Sequence, residues 1–244
     1  MSTPRLIEGI VSIPVAGHSL TAYRAMPRAD QPLPVLLVVQ EIFGLHPHIQ
    51  AVCRRLASLG YLAVAPSLQE RQGDVASQPD LAGIYAIVAR VPDHQVLADL
   101  DACVAWAGSE CNGEISRLGI TGFCWGGRIT WLYAAHNPQL RAGVAWYGRL
   151  DSPPTALQPM VPTALASKLQ APVLGLYGGQ DEIIPLASIE RMQQALEQAG
   201  SPSRIVVYPD APHGFHADYR DTYRPAAAAD GWGRMRDWFT AHGV

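Results

Sequence analysis

The sequence predicts an α/β fold with a mostly parallel central sheet and helices on both faces. Three observations carry this. Continuous apolar runs such as "PVLLVVQ" (34–40) and "YLAVAPS" (61–67) suit strands covered on both faces. Segments of helical periodicity alternate with such runs along the chain. The run "PVLGLYGGQD" (172–181) leaves its strand through glycines, as strands feeding a crossover do.

Each element has its own warrant. Residues 6–13 and 19–26 alternate loosely around "PVAGH" and read as a hairpin. Residues 34–40 form the first buried strand, and "HIQAVCRRLASLG" (48–60) reads as a helix closed by a glycine. Residues 61–67 return as a strand. "DHQVLADLDACVAWAGS" (93–109) is amphipathic, with Val96, Leu97, Leu100, Val104 and Trp106 near one face. Strand 117–123 meets glycines and then helix 128–137; strand 142–148 follows. Strand 172–181, helix 186–200, strand 203–210 and helix 226–243 complete the order, with Gly231 and Gly233 unfavourable in the last helix. Residues 67–92 and 149–170 read as loops, and Pro-rich 151–163 is either a cap over a site or an ordinary crossover.

The 244 residues are 48% hydrophobic and 16% charged, ample for one core, and a single domain over 1–244 is expected. A net charge of −3 excludes an electrostatic footprint for nucleic acid. No apolar run approaches the roughly 20 residues of a membrane span. Cys53, Cys103, Cys111 and Cys124 form no C-x-x-C pair, and the first residues lack the apolar core of a secretory signal. A reducing, cytoplasmic setting without disulfides is therefore expected. Cys53 and Cys103 fall on apolar helix faces; Cys111, in "GSECNGE", is expected at the surface and open to oxidation. His46, His48, His94, His136 and His216 show no metal spacing, so no metal and no cofactor is expected.

The chemistry starts at "GFCWGG" (122–127), between a strand and a helix. Glycines allow the tight turn that thrusts one side chain, here Cys124, into a cleft. The turn sets the sulfur at a helix N-terminus, where the dipole favours an anion, and aims the Trp125 N–H at a developing oxyanion. The competing reading is a glycine-rich turn with a packed thiol. A nucleophile needs a base and the base an orienting group. Asp181 and His213 each follow a strand, in the order nucleophile, acid, histidine. Alone, the aspartate would read as a helix cap and the histidine as structural; together they favour a triad. Asp210 is a rival acid, disfavoured by lying so near His213. Glu41 ends a buried strand, where a carboxylate needs a task or backbone N–H partners. The loop after that strand is also where a second oxyanion donor belongs, the Ile42 N–H.

With "QEIFGLHPHI", "GFCWGG", "GGQDEIIP" and "HGFHADYR" in this order, the chain resembles the dienelactone hydrolase family of α/β-hydrolases, the carboxymethylenebutenolidase-like branch, over nearly its whole length. The resemblance implies a resting thiol at Cys124 that yields its proton to Glu41 as substrate arrives. The thiolate then attacks a lactone carbonyl and passes through a tetrahedral to an acyl-enzyme intermediate. His213, oriented by Asp181, serves as base and acid, and the N–H groups of Ile42 and Trp125 hold the oxyanion. The family's arginines for a substrate carboxylate transfer poorly: the place four residues after the histidine holds Ala217, with Arg220 further on. Arg71 and Arg90, with Tyr85, are the candidates in the upstream region. The resemblance thus implies a small-molecule lactone or ester as partner; charge and hydropathy argue against nucleic acid and membrane, and both a monomer and a homodimer are compatible with the sequence. Other readings are a general carboxylesterase or thioesterase on the same triad, and a non-catalytic ligand-binding relative.

Overall fold

The computed structural model describes residues 5–244. Strands β1 (Leu6–Val15) and β2 (His18–Pro27) form the expected antiparallel hairpin, turned at Ala16 and Gly17. The other expected strands become β3 (Leu33–Val39), β4 (Leu62–Pro66), β5 (Gly113–Phe123), β6 (Leu140–Trp146), β7 (Val173–Gly178) and β8 (Arg204–Tyr208). Among the described residues they form one eight-stranded sheet in the order β1-β2-β4-β3-β5-β6-β7-β8. Pairing is parallel from β4 through β8 and antiparallel at β1-β2-β4. All seven residues of β3 are buried, as an unbroken apolar run demands of a strand covered on both sides.

Helices α1 (Pro47–Ala57), α2 (Leu81–Val88), α3 (Asp93–Glu110), α4 (Trp125–His136), α5 (Leu186–Gln198) and α6 (Pro225–Ala241) supply the cover. Alternation along β5 shows how. The Cα of Gly119 faces Phe239 of α6, while Ile120 and its neighbour Gly143 on β6 face Thr130 of α4. The Arg55 guanidinium on α1 lies 3.7 Å over the Trp232 ring, tying α1 to α6. Among the described residues no helix is long and apolar enough to cross a membrane.

Several boundaries differ from expectation. Helix α1 stops at Ala57 with Ser58 as its cap, and Gly60 makes the reversal at φ +99 beyond it. Residues 81–88, expected as loop, form α2 because Asp80 accepts from the Gly83 N–H and caps the first turn. A 3-10 turn occupies Pro162–Lys168. Gly231 suits α6 because a Cβ there would stand 2.7 Å from the Trp146 ring. Cys111 is not at the surface: only 5% exposed, its sulfur takes an N–H from Arg24 at 3.8 Å. It sits under the β1–β2 ribbon, whose packing on the end of α3 no local pattern reveals.

Candidate active site

Parallel strands deliver their following residues to one edge of the sheet. Glu41 follows β3, Cys124 follows β5, Tyr147 follows β6, Asp181 follows β7 and His213 follows β8. Cys124 has φ 54 and ψ −113, a conformation that L side chains rarely adopt. Its N–H donates to Trp146 O at 2.9 Å, and its carbonyl accepts from Gly127 and Arg128 at 3.0 and 3.2 Å. The turn needs its glycines: a Cβ on Gly122 would lie 2.1 Å from Gly126 O, and one on Gly126 would lie 2.3 Å from Val39 O. Among the described residues neither the Trp125 N–H nor the Ile42 N–H meets an acceptor, and both residues line the same cleft as Cys124.

The sulfur of Cys124 stands 3.2 Å from His213 Nε2, and His213 Nδ1 stands 2.8 Å from Asp181 Oδ2. The other Asp181 oxygen accepts from the N–H groups of Ile183 and Ile184 at 2.8 and 3.0 Å. That fixes the buried carboxylate from behind. Burial opposes charge on His213, but the bonds to Asp181 and Cys124 outweigh it and raise the imidazole to about 9. The rival Asp210 lies at the surface.

Glu41 is 1% exposed. Its Oε2 accepts from the Tyr219 hydroxyl at 2.6 Å and has His46 Nε2 at 3.5 Å, an ion-pair distance too long for a full hydrogen bond. Oε1 is enclosed and unpartnered among the described residues. Burial works against the charge, yet His46 and Tyr219, with His48 behind them, hold Glu41 below its ordinary range. His46 thus differs from three histidines that pack or pair elsewhere: His48 with Asp218 at 2.8 Å, His136 with Asp101 at 2.7 Å, and His216 against Phe123 and Trp146.

The cleft over the thiol encloses about 350 Å³ between apolar walls that include Ile42, Tyr85, Trp125, Met160 and Ile183. Of the three upstream candidates, Tyr85 lines this cleft and Arg71 and Arg90 do not. Arg71 is drawn into an ion pair with buried Asp99, and Arg90 spends its guanidinium on Gln72 O at 2.6 Å and Ala86 O at 3.3 Å. Neither lines the cleft. The arginines that do are Arg128 and Arg149. Arg128 is neutralised by Asp93 through two bonds of 2.7 and 3.0 Å, while Arg149 is exposed and unpaired among the described residues. Its position just beyond β6, at the sheet edge that gathers functional groups, was the available signal.

Residues 151–161 form a wall of this cleft. Asp93 accepts from the Met160 N–H at 3.0 Å and Arg128 donates to Met160 O at 2.6 Å. Gln158 donates to Val88 O and Val91 O at 2.8 and 3.1 Å. The segment is therefore strapped to α2 and α3 through a buried ion pair.

Four likenesses bear on this geometry. Residues 20–243 match the profile of the dienelactone hydrolase family. A protein of Methylorubrum extorquens, provisionally named a carboxymethylenebutenolidase, is 57% identical over 240 residues, 98% of this chain and 82% of its own. One of the same provisional name from Escherichia coli is 55% identical over 240 residues, 98% of this chain and 88% of its own. The crystal structure of a Klebsiella pneumoniae protein, provisionally described as a dienelactone hydrolase, superposes with a TM-score of 0.95 at 54% identity, over 97% of this chain and 99% of its own.

Proposed function

The chain belongs to the dienelactone hydrolase family and is a hydrolase of lactone or ester bonds, and from that premise we propose that it works through Cys124 as nucleophile and an acyl-enzyme. One observation carries the reading: a half-buried thiol 3.2 Å from an imidazole that is itself held by a buried carboxylate.

The substrate carbonyl enters with its oxygen toward the Ile42 and Trp125 N–H groups, which are free to receive it. As substrate arrives, the thiol proton passes to Glu41, and the electron pair left on sulfur forms the S–C bond. The carbonyl π electrons move to oxygen. When the tetrahedral intermediate collapses, the ester C–O bond breaks and the leaving oxygen takes a proton from His213. An enol ester leaves as a stabilised enolate, which suits a thiol nucleophile. His213 then deprotonates a water, whose oxygen attacks the thioester carbonyl; the C–S bond breaks, and the Cys124 sulfur takes back the proton held on Glu41. Asp181 holds the imidazole tautomer and favours its cation throughout.

The apolar cleft walls also favour a second reading, a carboxylesterase that cleaves small open-chain esters on the same triad.

The test is turnover of a chromogenic aryl ester and of a five-membered enol lactone by the protein and its Cys124→Ala and Cys124→Ser variants, with mass spectrometry of quenched reactions. An acyl adduct on Cys124 and loss of turnover in Cys124→Ala support the proposal. Cys124→Ser is expected to fold and to lose about a hundredfold or more in kcat, because the site is built to deprotonate a thiol rather than a much weaker acid. Equal turnover with and without the thiol would end the proposal.

A further inference from the structure

Tyr147 carries two penalties at once. It sits directly after β6 at φ +39, a left-handed backbone rare for an aromatic residue. Its hydroxyl is enclosed and, among the described residues, has no hydrogen-bond partner. An orphaned buried group on a strained backbone is a pointer to function.

The residue has little freedom to relieve either penalty. Its N–H donates to Leu176 O at 2.8 Å. Its ring packs edge-on against His213 at 5.2 Å and against Phe215 at 5.3 Å. The next residue, Gly148, is pressed so closely on Gly127 that a Cβ there would lie 2.2 Å from Gly127 C. Tyr147 is thus held against the turn that carries Cys124, and it lines the cleft beside Cys124 and His213.

Glu41 shows the matching deficit. Tyr219 occupies its Oε2, while Oε1 is enclosed and unpartnered. Burial keeps the Tyr147 phenol protonated, and the charges next in effect upon it are those of Glu41 and then Cys124. Two orphaned atoms therefore lie within mutual electrostatic reach around one thiol.

We propose that Tyr147 is a positioning residue: its hydroxyl pairs with Glu41 when that carboxylate turns from Tyr219 toward the Cys124 thiol. This rests on the proposed role of Glu41 as the first acceptor of the thiol proton. A hydroxyl suits both stages of that transfer. It donates to the carboxylate before the S–H bond breaks, and its oxygen accepts from the carboxylic acid once the O–H bond has formed on Glu41. The resting structure leaves both atoms unpaired because each is the other's partner in the activated arrangement.

The experiment is a double-mutant cycle on the pre-steady-state rate of Cys124 acylation by a chromogenic ester, using Tyr147→Phe, Glu41→Gln and the pair. Phenylalanine keeps the ring packing on His213 and Phe215, and circular dichroism checks each fold. Tyr147→Phe is expected to slow acylation about tenfold, the worth of one hydrogen bond to a charged group. The pair is expected to be no slower than Glu41→Gln alone, since residues that act together are not additive. A packing role would not produce that coupling. Multiplicative losses, or a Tyr147→Phe rate equal to that of the unaltered protein, would overturn the assignment. Cys124→Ala separates this failure from that of the function: turnover surviving without the thiol removes the thiol mechanism itself, whereas multiplicative losses beside an inert Cys124→Ala remove only the role of Tyr147.

Discussion

The hydroxyl of Tyr219, half exposed at the surface, donates at 2.6 Å to a carboxylate oxygen of Glu41, a residue almost wholly buried. Their meeting joins the end of β3 to the loop after β8, so one residue reports on the other. The bond favours the charged carboxylate and helps hold Glu41 below its ordinary range. Stability from this group is present above the unfolded carboxylate value and lost as pH falls through the lower folded one. Tyr219→Phe is therefore expected to raise the acid unfolding midpoint and to cost about 1 kcal/mol near neutrality, discounted for the exposed tyrosine. Chemical denaturation at a series of acid pH values measures this; coincident curves for the two proteins would contradict it.

His213 makes the opposite prediction. Its folded value, about 9, lies above the ordinary 6.5. The stability it contributes is complete below about pH 6.5 and is lost as pH rises through about 9. Urea midpoints are expected to fall across this window, and Asp181→Asn is expected to remove most of the slope. A flat midpoint from neutral to alkaline pH in the unaltered protein would show that the pair does not hold the imidazolium.

The buried Asp93–Arg128 pair straps residues 151–161 over the cleft. Removing one partner leaves a buried charge uncompensated. Asp93→Ala is expected to cost about 3–5 kcal/mol, whereas Asp93→Leu combined with Arg128→Met costs much less. Equilibrium unfolding of the two variants beside the unaltered protein decides it: equal losses would mean that the pair is not desolvated as its burial indicates. Asp93→Ala is also expected to raise KM, through the loosened Met160 wall.

Arg149 is the cleft arginine that no carboxylate neutralises among the described residues. An aryl ester carrying a carboxylate is expected to lose about threefold to tenfold in kcat/KM on Arg149→Gln, as fits one partly exposed ion pair. A neutral ester of the same size is expected to change little. Parallel losses on both esters would show that Arg149 does not read substrate charge.

Local chemistry was enough to read much of this protein from its sequence. A short unbroken apolar run suits a strand covered on both faces, and β3 is one. Glycines around Cys124 are demanded by backbone contacts of the turn itself, so the turn announces itself in six residues. Parallel strands bring their following residues to one edge, so order alone assembles Cys124, Asp181 and His213. What remained hidden depends on which distant groups meet. Arg71 looked available until Asp99 on α3 claimed it, and Cys111 looked exposed until the β1–β2 ribbon covered it. The partners of Glu41 lie on two loops, and the orphaned hydroxyl of Tyr147 becomes visible only when its whole surroundings are counted. Periodicity and turn chemistry act over a few residues and are written in them; ion pairing, desolvation and unmet hydrogen bonds are properties of neighbours, and only the tertiary structure chooses those.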